Sequence, residues 1–162
     1  MADILQERAV GFDTETRPAF VKGQRYLPAL AQVATSRAVY LFRLQHVDAS
    51  RELAAMLGSP DTAKVGIAVA DDLRQLRQLF EFEEKRVIDP GDVAYRHGLT
   101  QTGLRNLAGI FLGFRIPKGS KTTNWAAQRL TEQQIAYAAT DAWACRELFL
   151  RFEQLGLLAA HG

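Results

Sequence analysis

The apolar residues of the 162-residue chain recur with two different periods, and each change of period marks the border of an element. Residues 8–14 form a short apolar run, Ala9-Val10-Gly11-Phe12, that passes into the polar stretch Asp13-Thr14-Glu15-Thr16, the pattern of a strand emerging from a core. Residues 17–28 hold Arg17-Pro18, Lys22-Gly23 and Leu27-Pro28 and read as a connecting loop. Residues 29–35 and 38–43 read as two strands joined tightly across Ser36-Arg37, so three consecutive antiparallel strands are expected. A helix over 50–57 places Leu53 and Leu57 on one face and is stopped by Gly58-Ser59-Pro60; an apolar strand over 63–68 and a helix over 70–83 follow.

The second half alternates in the same way. A short strand is predicted over 87–90, a brief helix over 91–97, and a helix over 103–112 with Leu104, Leu107, Ala108 and Phe111 on one side. Residues 113–124, rich in Gly, Lys, Ser and Thr, read as a mobile loop. The last helix is the best marked. Thr131 caps it with Gln134 three residues on, and an apolar stripe runs through Ala138, Cys145, Leu148, Phe149, Phe152 and Leu155 until Gly156. Leading strands followed by alternating strands and helices predict an α/β fold, a mixed sheet with helices packed on it, forming one domain over 1–162.

Several carboxylates sit where this pattern wants apolar side chains. Asp13 and Glu15 are two apart and leave the same face of their strand, a crowding that a divalent cation would relieve and that a solvated strand end would tolerate. Asp72 lies along the buried stripe Val69, Leu73, Leu76 and Phe80, whereas Asp71 shares its side with Arg74, Gln75 and Gln78; helix capping is the alternative role for both acids. Tyr137 and Asp141 are one turn apart on the stripe of the last helix, so Asp141 needs compensation from a metal or from a core arginine, Arg105 or Arg146. Hard oxygen donors suit Mg²⁺ or Mn²⁺. His46, His97 and His161 show no ligand spacing, and Cys145, the lone cysteine, rules out an intramolecular disulfide.

Charge and composition add two points. The net charge is only +2, but 93–131 contains no Asp or Glu while it carries Arg96, Arg105, Arg115, Lys118, Lys121 and Arg129, a phosphate-facing surface or a merely solvated basic face. No apolar run approaches the roughly 20 residues that span a bilayer, and the N-terminus lacks a signal-peptide pattern, so no membrane partner and a cytoplasmic location are expected.

Three segments together resemble a known family. Val10-Gly11-Phe12-Asp13-Thr14-Glu15-Thr16, then 65–76 with Asp72, then Tyr137-Ala138-Ala139-Thr140-Asp141 are similar to the three motifs of the DEDDy 3′–5′ exonucleases, which include ribonuclease D and the Werner syndrome exonuclease. The resemblance covers residues 8–152 and implies a ribonuclease H-like fold and two-metal removal of nucleotides from the 3′ end of single-stranded DNA or RNA. By motif position Asp13, Glu15, Asp72 and Asp141 would hold two Mg²⁺ or Mn²⁺ ions, and Tyr137 would orient the attacking water. Residues 122–125 and 130–134 also resemble the ribonuclease D-like members. Thr14 and Thr16 would meet the terminal nucleotide, and Lys118, Lys121, Asn124, Trp125 and Arg129 would grip the strand, with Trp125 as a stacking platform. Residues 1–162 show no counterpart of the C-terminal helical repeats of ribonuclease D, so the domain is expected to bind substrate alone or as a homo-oligomer. The competing reading is a non-catalytic nucleic-acid-binding or scaffold protein on the same fold.

Overall fold

The apolar run that opens the chain becomes the middle strand of a five-stranded sheet. The computed structural model describes residues 1–119 and 123–158. Strand β1 (Ala9–Glu15) pairs antiparallel with β2 (Leu30–Ala34) and parallel with β4 (Ala63–Val65). Strand β3 (Val39–Arg43) extends one edge antiparallel to β2, and β5 (Val87–Ile88) extends the other parallel to β4, giving the order β3-β2-β1-β4-β5. The helices are α1 (Ala2–Leu5), α2 (Ser50–Gly58), α3 (Val69–Leu76), α4 (Pro90–Arg96), α5 (Leu104–Leu107), which widens into a π-helical segment at Ala108–Leu112, and α6 (Glu132–Gln154). The predicted leading antiparallel strands and mixed sheet are present. No described helix is long and apolar enough to cross a membrane.

The two faces of β1 are divided by the period of two along the strand. Val10 and Phe12 join the core formed with Leu53, Met56 and Leu57 of α2 and Val69, Leu73 and Leu76 of α3. Ala9 packs on the opposite side against Cys145 and Phe149 of α6, so Gly11, Asp13 and Glu15 also face α6. Burying a side chain such as Phe12, which is fully enclosed, contributes roughly 1.5–3 kcal/mol. These apolar contacts clamp the strand from both sides and hold its polar end still.

Helix α6 is fixed at both ends of its contact with the sheet. Thr131 and Gln134 form the predicted capping box, with Gln134 N donating to Thr131 Oγ1 at 3.1 Å and Thr131 N donating to Gln134 Oε1 at 2.9 Å. Further along, Arg146 donates to the Ala9 carbonyl at 3.2 Å and to Glu7 at 3.1 Å. Between these anchors the helix presents Ala138, Ala142 and Cys145, and its backbone comes so near β1 that a Cβ at Gly11 would lie 1.8 Å from the Ala142 carbonyl oxygen.

Some boundaries differ from the sequence reading, each for a packing reason. The helix expected over 70–83 stops at Leu76, because Phe80 and Phe82 both return to the core and residues two apart cannot share one helical face; their rings lie 5.4 Å apart. The strand expected over 63–68 leaves the ladder after Val65, as Ala68 adopts a left-handed conformation (φ 52°) to turn into α3. The helix expected over 103–112 divides into α5 and the π-helical segment, ended by Gly113 at φ 63°. The unexpected α1 exists because Ile4 plugs the core beside Val10.

The Gly11→Ala substitution is expected to destabilise the protein by about 3 kcal/mol, because its methyl group meets backbone on a helix that cannot retreat. The midpoint of urea unfolding relative to wild type measures this.

Candidate active site

The alternation that buries Val10 and Phe12 sends Asp13 and Glu15 toward α6, and the close passage of that helix brings Asp141 to meet them. One carboxylate oxygen from each of Asp13, Glu15 and Asp141 lies within 4.8 Å of the others. Asp141 is 8% exposed, the other two are half-buried, and Thr14 N donates to Asp13 Oδ1 at 2.9 Å. Asp72 reaches the cluster from the opposite face of the sheet. It stands on the first turn of α3, outside the close triad, where Thr14 Oγ1, the β1 side chain pointing that way, donates to its Oδ1 at 2.5 Å. Its charge is nonetheless felt by Asp13.

Two of the acids are held away from their ordinary titration range. Burial first, and then the charges of Asp72, Glu15 and Asp141, push the Asp13 carboxyl well above the usual carboxylate range. Burial pushes Asp72 up to about 6 despite the Thr14 hydrogen bond, with Asp89 adding repulsion. Of the two arginines that the sequence offered as compensating partners for Asp141, Arg146 bonds to Glu7 and Ala9, and Arg105 Nε donates to the Ile116 carbonyl at 3.1 Å. A set of converging hard oxygen donors with surplus negative charge fits a divalent cation of the Mg²⁺ or Mn²⁺ type.

Tyr137 stands one turn before Asp141 and lies under the influence of that carboxylate. Burial, followed by the charges of Asp141, Glu15 and Asp13, raises its ionisation far above the ordinary tyrosine value, so the phenol keeps its proton. Residues 113–119 cross over this tyrosine, and Gly119 lies so close that a Cβ there would be 1.7 Å from Tyr137 Cε2. Asp13, Tyr137 and Asp141 open onto a cavity of about 660 Å³ shared with Arg105, Asn106 and Arg115.

The residues expected to grip nucleic acid are dispersed. Thr14 is committed to Asp72, and Thr16 is half-buried just past the end of β1. Lys118 is exposed beside Gly119, and Lys121 lies outside the described residues. Asn124 is exposed and accepts from Ala126 N at 3.1 Å. Trp125 is 1% exposed, packed against Leu30 and Ala138 with its ring 6.0 Å from that of Tyr137, so it presents no open face for a base. Arg129 lies in a separate shallow groove with Leu41 and Arg43.

Three supporting residues escaped the sequence reading. Gln32 is the cross-strand partner of Asp13; it is fully buried and donates through Nε2 to the Ala138 carbonyl at 3.4 Å, tying β2 to the Tyr137–Asp141 turn. Its signal was a lone amide inside the apolar run Ala29 to Ala34. Asp89 accepts from Ala68 N at 2.8 Å and Gly91 N at 2.7 Å, holding the turn that leads into α3; an Asp followed by Pro is a readable helix start. Gly119 carried no signal, because its contact is with a side chain 18 positions away.

A mixed sheet whose middle strand and covering helix bring acidic side chains to one pocket is the plan of the ribonuclease H-like class. The chain belongs to the 3′–5′ exonuclease family, whose profile matches residues 1–156. A ribonuclease D of Haemophilus influenzae is 31% identical over 153 residues, covering 89% of this chain and 36% of that protein, so the chain spans about a third of its relative's length. Among solved structures, the Aedes aegypti Nibbler EXO domain superposes with a TM-score of 0.83 at 22% identity, over 96% of this chain and 82% of that one. Brucella melitensis NrnC, solved bound to pGG, superposes with a TM-score of 0.78 at 23% identity, over 96% and 78% of the two chains.

The raised carboxyls set a pH dependence. A group whose pKa is higher in the folded than in the unfolded chain makes the fold bind protons more tightly, so metal-free stability falls as pH rises from about 4 through about 6. With chelator present, Asp13→Asn is expected to flatten this decline and raise the melting temperature at pH 7 by roughly 2–4 °C, the shift that about 1 kcal/mol produces in a domain of this size. Added Mn²⁺ should raise the melting temperature of wild type and not of the variant, both read by thermal scans at pH 4.5 and 7.

Proposed function

We propose that this chain is a divalent-metal-dependent 3′–5′ exonuclease that removes nucleotides one at a time from the 3′ end of single-stranded nucleic acid, DNA or RNA. The observation that carries the reading is the convergence of Asp13, Glu15 and Asp141 within 4.8 Å, with Asp72 held beside them by Thr14. Membership of the exonuclease family and the pGG bound by the Brucella relative support it. A purely binding or scaffolding role leaves this crowded acidic pocket without a use.

In this mechanism Asp13, Glu15, Asp72 and Asp141 would hold two Mg²⁺ or Mn²⁺ ions. When bound, such ions lower the pKa of a water and offset charge on the departing 3′ oxygen. The chain's own residues supply position. Burial and the neighbouring acids keep the proton on the Tyr137 phenol oxygen, so Tyr137 would orient the attacking water as a neutral hydroxyl and would not act as its base. Thr14 keeps Asp72 turned toward the pocket.

Asp141→Ala is expected to slow stepwise digestion of a 5′-labelled oligonucleotide by at least roughly a hundredfold, and Asp13→Ala likewise, with the fold retained by circular dichroism; a full-rate ladder from either variant defeats the proposal. Tyr137→Phe should lower kcat by roughly a hundredfold with little change in KM. Gly119→Ala should reproduce part of that loss, since the added methyl meets the Tyr137 ring, which Trp125 backs on its other side.

A further inference from the structure

The cavity that holds the carboxylates is charged at two places with opposite sign. Arg105 and Arg115 line it together with Asp13, Tyr137 and Asp141. Arg105 is held by its Nε bond to Ile116, which leaves its terminal nitrogens without a protein acceptor among the described residues; Arg115 makes no hydrogen bond or ion pair there. No guanidinium is among the charges that shift Asp13 or Tyr137. The Asp13 carboxylate, its pKa raised by burial and by its acidic neighbours, calls for a cation, and the arginines on the same wall call for an anion.

We propose that Arg105 and Arg115, with the Asn106 amide beside them, form a second phosphate subsite that takes the phosphodiester one nucleotide to the 5′ side of the bond being cut. The inference rests on the exonuclease reading above. Paired guanidinium forks suit phosphate oxygens geometrically as well as by charge. The direction follows from the substrate's chemistry, because the scissile phosphate occupies the carboxylate pole and a strand cut at its last linkage has no further internal phosphate on the 3′ side. The bond from Arg105 to Ile116 gives the subsite a fixed wall, since it ties the segment that carries Arg115 back to α5. The enzyme would thus recognise a strand by two successive phosphates, independent of base identity.

The test is a short oligonucleotide in which the linkage next to the scissile one is an uncharged methylphosphonate, compared with the all-phosphodiester strand. Wild type should remove the first nucleotide from the neutral-linkage strand with kcat/KM lowered roughly ten- to a hundredfold, mostly through KM. In Arg115→Gln and in Arg105→Gln that penalty should shrink toward unity, as expected when the partner of a deleted charge is already gone. Should the penalty stay at its wild-type size in both variants, or should wild type cut the two strands equally well, the subsite is wrong while the exonuclease reading stands. If wild type shortens neither strand, that reading falls and takes the subsite with it.

Discussion

Helix α6 passes over β1 at a distance that only a glycine allows. At Gly11 the helix backbone occupies the space a side chain would need, and two residues further along the same face Asp13 meets Asp141. A larger separation would leave strand and helix carboxylates unable to share a ligand. The small residues Ala138, Ala142 and Cys145 serve the same approach from the helix side. The capping box at Thr131 and the Arg146 bonds to Glu7 and the Ala9 carbonyl prevent the helix from sliding along the strand. The site is therefore a consequence of backbone proximity before it is a consequence of acidic residues.

That proximity creates the electrostatic problem that the proposed chemistry uses. Asp13 sits among three other acids and is partly withdrawn from water, so its charged form is disfavoured until a cation arrives. Thr14 and Gln32 limit how far the cluster can relax. The first anchors Asp72 from the α3 side of the sheet and the second anchors the Tyr137–Asp141 turn from the α6 side, both through residues adjacent to or paired with Asp13. Stability is given up at one end of the sheet, and the apolar clamp around Val10 and Phe12 offsets it at the other.

Tyr137 shows how a residue's role depends on what covers it. An exposed tyrosine ionises near pH 10, but here burial and neighbouring acids keep it protonated, which suits it to the positioning role proposed above and not to that of a base. The cover is the segment 113–119 ending in Gly119, latched by Arg105 to the Ile116 carbonyl. The buried Trp125 completes the packing behind the tyrosine ring, so this aromatic acts as a support for Tyr137 and not as a surface for bases.

The sequence by itself determined the order and type of most elements, the capping box, and the acidic residues with Tyr137, because these depend on local periodicity, helix-end chemistry and motif spacing over a few residues. Only the tertiary structure decided where the helix after β4 stops, that Trp125 belongs to the core, that Arg146 serves Glu7 while Asp141 faces the carboxylates, and that Gln32, Asp89 and Gly119 hold the site in place. Each of these rests on contacts between residues far apart in the chain. A pattern read along one strand or one helix carries no information about which backbone will pass within van der Waals distance of it.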